Sequence, residues 1–103
     1  MRTYIEKNFY IVEFNANELK TEKQFIDKFW EAFNIPNKKT YNLDALYDWM
    51  TDLSWLNENE YKIIINRYSH YSKDYNLDFI IREITAYKDF WNKKNVKFII
   101  EVN

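Results

Sequence analysis

Apolar residues along the chain fall into short dense runs, and the spacing within the runs changes from one to the next. Residues 9–14 read Phe-Tyr-Ile-Val-Glu-Phe. Such a run of β-branched and aromatic side chains predicts a strand buried on both faces. Asn15-Ala16-Asn17 then predicts a turn. Thr21 and Gln24 have the spacing of a capping box. Phe25, Ile26, Phe29, Trp30 and Phe33 follow at helical intervals, and Pro36 prevents that helix from running on. A second helix is predicted from Asn42, a good N-cap, to about Asp52. Leu43, Leu46, Tyr47 and Met50 form its apolar stripe.

Residues 61–65 predict another buried strand, and residues 66–74 a polar, Tyr-rich loop, either plain or with a helical turn in it. Residues 76–91 predict a long helix with Leu77, Ile80, Ile81, Ile84, Tyr87 and Trp91 inward, and residues 96–102 a last strand. The order is β-α-α-β-α-β. Near-continuous apolar strands separated by helices predict an α/β fold, a small three-stranded parallel sheet packed with helices. No internal repeat or low-complexity segment divides the 103 residues, so residues 1–103 read as a single domain.

Composition narrows the function. Aromatic residues make up 20% of the chain, enough for a strong core in a small domain. With no glycine, phosphate-cradling Gly-rich loops are excluded, and left-handed backbone positions are expected to fall to asparagine. With no cysteine, a disulfide scaffold, a thiolate metal site and a cysteine nucleophile are excluded, which fits a reducing, cytoplasmic setting. The first residues lack the apolar stretch of a signal peptide, and no run approaches a membrane span. A net charge of −1 argues against a nucleic-acid binder held by bulk charge.

The second predicted helix carries the candidate chemistry. Asp44, Asp48 and Asp52 recur at i, i+4 and i+8, which makes one acidic stripe on a face away from the apolar one. Aspartate is a poor mid-helix residue, and each like-charged i,i+4 pair costs about 0.2–0.5 kcal/mol. Stability alone does not ask for this arrangement, although a plain solvated helix face would account for it.

The stretch Asn42-Leu43-Asp44-Ala45-Leu46-Tyr47-Asp48, with Thr51 three residues on, resembles the signature helix of the barstar family, intracellular inhibitors of barnase-type ribonucleases. The order of elements is also similar to that family's. The resemblance implies a non-enzymatic inhibitor, without cofactor or metal, whose helix plugs a ribonuclease active site. Asp48 would take the place of the substrate phosphate, and Asp44 would contact basic residues nearby. Asn42, Tyr47 and Thr51 match other interface positions, and Asp89 on the last helix matches a glutamate facing the nuclease. Asp52 extends the stripe. The implied partner is a ribonuclease or nuclease-like toxin, bound by a monomer, with neither membrane nor nucleic acid involved. An RNA-cleaving site must be cationic to hold its phosphodiester, so a rigid carboxylate row suits it, and charge complementarity speeds encounter. The chain departs from the pattern before the helix, where Asn37-Lys38-Lys39-Thr40-Tyr41 has two lysines and no glycine. Asp52 stands where the family often has a small residue, and Leu53 where it often has tryptophan.

Other groupings are weaker. His70 is the only histidine, and Ser69-His70 with Asp74 reads as surface rather than as a triad. Asp52, Glu58 and Glu60 read as solvated charge, and no cluster has metal-ligand spacing. Trp49 and Trp55 flank the acidic helix and are either core or interface anchors. Tyr61, Tyr68, Tyr71 and Tyr75 with Arg67 and Lys73 frame one alternative, a small nucleic-acid-binding module that stacks bases. A second, a barstar-like immunity protein against a different toxin, rests on the acidic helix instead.

Overall fold

Two parallel pairings build the sheet. β2 (Phe9–Asn15) pairs with β3 (Glu60–Asn66), and β3 with β4 (Phe98–Val102). A computed structural model describes residues 1–103 and adds a strand that the sequence did not reveal. β1 (Arg2–Glu6) runs antiparallel to β2, so the sheet is mixed, with four strands in the order β1-β2-β3-β4 rather than three parallel ones. Two features concealed β1. Arg-Thr-Tyr-Ile-Glu is largely polar, and its two-residue turn, Lys7-Asn8, lacks the usual hairpin glycine. Lys7 takes a positive φ of 58°, while Asn8 does not.

The helices are α1 (Glu22–Ala32), α2 (Leu43–Met50), α3 (Tyr68–Tyr71) and α4 (Asp78–Lys93). A 3-10 turn, Ala16–Glu18, replaces the simple turn expected after β2, and the one-turn α3 is the helical turn that the 66–74 loop had room for. The Thr21–Gln24 capping box forms as read, with reciprocal bonds of 3.1 and 3.2 Å. By register, Tyr10, Val12 and Phe14 share a sheet face with Tyr61, Ile63, Ile65 and Phe98, and this face carries the main core. Phe29 of α1 stacks on Phe14 at 4.8 Å and on Phe25 at 4.3 Å, and approaches Tyr87 of α4 at 6.2 Å. The opposite sheet face holds only Ile11 and Ile64 buried, bordered by the Arg2–Glu13 and Lys62–Glu101 ion pairs.

Five residues take positive φ. Asn34 and Asn95 fit the expectation for a chain without glycine, but Lys7, Leu53 and Arg67 do not. A side chain at such a position costs about 1–2 kcal/mol. At Leu53 the fully buried side chain offsets that cost by leaving water. No helix is long and apolar enough to cross a membrane.

Candidate functional site

An isolated helix of eight residues does not hold in water, so α2 depends on what surrounds it. Asn42 caps its start, the side-chain oxygen accepting from the N–H groups of Asp44 (2.8 Å) and Ala45 (3.2 Å). Leu46 and Met50 are fully buried, and Tyr47 packs against the Tyr87 ring at 6.0 Å. At the far end, the indole N–H of Trp91 donates to the Met50 carbonyl at 2.8 Å. Truncating a fully buried leucine such as Leu46 to alanine costs about 2–5 kcal/mol, so the face opposite these anchors is rigidly held.

That opposite face carries Asp44 and Asp48. Both are exposed, and neither forms an ion pair within the chain. Asp52 departs from the expected row. The helix ends at Met50, and Asp52 lies in the following turn, where its carboxylate accepts from the Ser54 N–H at 3.2 Å. The positive φ of Leu53 (52°) turns the chain away, which is why the helix stops short of Asp52. Thr51 is half-buried, and its hydroxyl donates to the Tyr47 carbonyl (2.8 Å) and lies 3.3 Å from that of Asp48. Its donor is thus engaged inside the helix. Asn42 is likewise engaged as the cap through its oxygen, which leaves its amide N–H groups outward.

Asp89 lies on α4, exposed and without an ion-pair partner. It sits about 200° around that helix from both Tyr87 and Trp91, which meet α2. The structure therefore brings Asn42, Asp44, Tyr47, Asp48, Thr51 and Asp52 onto one segment and leaves Asp89 on the outer face of another. A different acid, one that no spacing pattern singles out, approaches α2 from α4. Glu83 of α4 has its carboxyl raised above the ordinary glutamate value, first by burial and then by Asp44 and Glu22, with Arg82 opposing.

The loop before α2 is also better ordered than its lysines suggest. Lys39 pairs with Asp27 of α1 at 2.9 Å, and the Tyr41 hydroxyl donates to the same carboxylate oxygen at 2.8 Å. Hydrogen bonds from Lys39 and Tyr41 hold the Asp27 carboxyl below its ordinary value. Lys23 lies over the Tyr41 ring at 5.2 Å, and the Trp30 indole N–H donates to the Asn37 carbonyl at 2.9 Å. Lys38 is exposed and unpaired.

The tyrosines of the base-stacking alternative are mostly occupied. Tyr61 is buried against Trp91 and Phe98, and the Tyr68 hydroxyl bonds the Leu77 carbonyl at 3.2 Å. Lys20 lies over Tyr75 at 4.7 Å, and Arg67 over Tyr71 at 5.7 Å. His70 is exposed and packs its ring edge-on to Tyr71. No group of acidic and histidine side chains is arranged to hold a metal ion.

Residues 9–103 match the family described as Barstar (barnase inhibitor), a span that includes every element except β1. No curated protein matches the chain.

Proposed function

The chain belongs to the barstar family, and from that premise we propose that it inhibits a ribonuclease by seating α2 in a cationic active site. The observation that carries this reading is the pair of exposed, unpaired carboxylates, Asp44 and Asp48, on a helix anchored along its whole opposite face. Asp48 stands in for the scissile phosphate and meets the cations that would hold it. It offers no bond to cleave, so the protein acts without catalysis, metal or cofactor. Asp44, one turn earlier, extends the negative surface. Tyr47 and Thr51 shape its flank, and the Asn42 amide and Asp52 border it. Asp89 contributes at the periphery, if the partner is broad enough to reach α4. The protein acts as a monomeric single domain in the cytoplasm, as protection against a ribonuclease or nuclease-like toxin.

The test is Asp48→Ala. Circular dichroism should show an unchanged fold, because an exposed side chain with no internal partner contributes little to stability. Titration calorimetry against barnase-type ribonucleases should show affinity reduced about 30-fold or more. Barnase with barstar is itself the measured case behind that range, so the figure is carried over rather than derived from this chain. Affinity that does not move would end the mimicry reading. Micromolar binding of single-stranded RNA in a fluorescence anisotropy titration, lost as salt rises, would replace it with the nucleic-acid reading.

A further inference from the structure

Four tryptophans lie in the chain, and three have their indole N–H committed to a backbone carbonyl: Trp30 to Asn37, Trp55 to Phe33 and Trp91 to Met50. Trp49 is the exception. It is half-buried, makes no indole hydrogen bond, and rests edge-on against Trp55, with centroids 5.8 Å apart and planes at 69°. Because Trp55 is pinned through its own N–H, Trp49 sits on a fixed support.

Its neighbours are acids. Asp48 precedes it in the chain, and the Asp52 N–H donates to the Trp49 carbonyl at 3.1 Å, which keeps the Asp52 backbone within one turn of Trp49. One oxygen of Asp52 is used by Ser54, and the other accepts nothing. Six cation–aromatic contacts occur within the molecule, and all fall on tyrosine or phenylalanine. Tryptophan is the strongest such acceptor, yet none of its rings is covered by one of the chain's own cations.

We propose that Trp49, supported by Trp55 and flanked by Asp48 and Asp52, is a seat for an arginine of the partner and sets a preference for arginine over lysine there. A guanidinium is planar and weakly hydrated. It can lie on an indole face while its edge bonds a carboxylate, whereas an ammonium is a compact, strongly hydrated point charge. The inference takes from the proposed function only the positive sign of the partner surface.

The probes are therefore two short peptides, tetra-arginine and tetra-lysine, with no ribonuclease present. Their binding at low salt is followed through the four indole N–H resonances of the 15N-labelled protein. Tetra-arginine should shift the Trp49 resonance and bind about 2- to 5-fold more tightly than tetra-lysine, the size of an exposed cation–π contact. Trp49→Leu should abolish the preference while the other three indole resonances stay in place. Asp52→Asn should reduce it with the ring intact, which keeps the test valid should the leucine variant fold poorly. Equal affinities, or shifts that avoid Trp49, would overturn the proposal. Failure to inhibit any ribonuclease, with the arginine preference present, would overturn the proposed function instead.

Discussion

Helices α1 and α2 lie side by side and treat the same residue type in opposite ways. On α1, Asp27 gathers an ammonium and a phenol and ties down the loop that follows. On α2, Asp44 and Asp48 gather nothing. Positive charge is not scarce nearby, since Lys38, Lys39 and Lys23 all belong to the same stretch of chain. Lys39 and Lys23 turn toward Asp27 and Tyr41 rather than toward α2. Internal pairing fixes the loop, and its absence leaves the helix with an uncompensated field. An exposed acid that is unpaired on a rigid helix carries information that the count of acids does not.

The largest effect should come from removing the unpaired charges together. Asp44→Asn with Asp48→Asn should reduce ribonuclease affinity about 100-fold or more, again a scale borrowed from barnase with barstar. The thermal midpoint should hold or rise slightly, because a repulsive i,i+4 pair is lost. A drop in stability with affinity preserved would show that the contrast with α1 had been drawn the wrong way round.

Removing the paired charge should act differently. Asp27→Asn releases Lys39 and Tyr41, at a stability cost well under about 1 kcal/mol for so exposed a cluster. It should reduce affinity less than tenfold, mainly by slowing association as the loop loosens and an unpaired lysine approaches the partner. Acid should mimic the substitution. The Asp27 carboxyl is held low in the folded state, so its contribution is fully present above the ordinary aspartate value of about 3.9 and is lost as pH falls through the lower folded value. Side-chain NMR of Tyr41 across that range reports the release.

Glu83 should show the reverse sign. Its folded value is raised, so a penalty appears as pH rises through the ordinary glutamate range and is complete above the folded value. Glu83→Gln should stabilise the protein at pH 7 by up to about 0.5 kcal/mol, with no gain in acid, as thermal melts at both pH values would show. The smallest effect belongs to Lys38, which has no internal partner. Against a uniformly basic ribonuclease, Lys38→Glu should speed association about twofold at low salt and leave it unchanged at high salt. A slower rate would mean that the lysine meets an acidic patch on the partner, as a specificity element.

Much of this was legible because the relevant signals are local. The Thr21–Gln24 box, the Asn42 cap, the β2 and β3 runs and the inward stripe of α4 depend on neighbours within one or two turns, and all formed. The same holds for the exposure of Asp44 and Asp48. What escaped was set by backbone conformation or by distant partners. β1 hid behind a hairpin whose left-handed residue is lysine. The end of α2 depended on Leu53, a residue that on propensity would continue a helix. The Asp27–Lys39 pair joins positions twelve residues apart, and Glu83 meets α2 only through tertiary packing. No spacing rule reaches such contacts.

The three committed indoles also bear on the time course of folding. Trp30 bonds a carbonyl 7 residues away, Trp55 one 22 residues away, and Trp91 one 41 residues away. The entropy of closing a loop grows with its length, and contacts distant in sequence are slow to reward the chain. The bonds thus mark short, medium and long closures within one small chain. Pulse-labelled exchange of the indole protons would read them as a clock: Trp30 protected first, Trp55 next, and Trp91 last. On that ordering, the Trp91 bond to Met50 completes late, and the acidic face becomes rigid only when the rest of the molecule has folded beneath it.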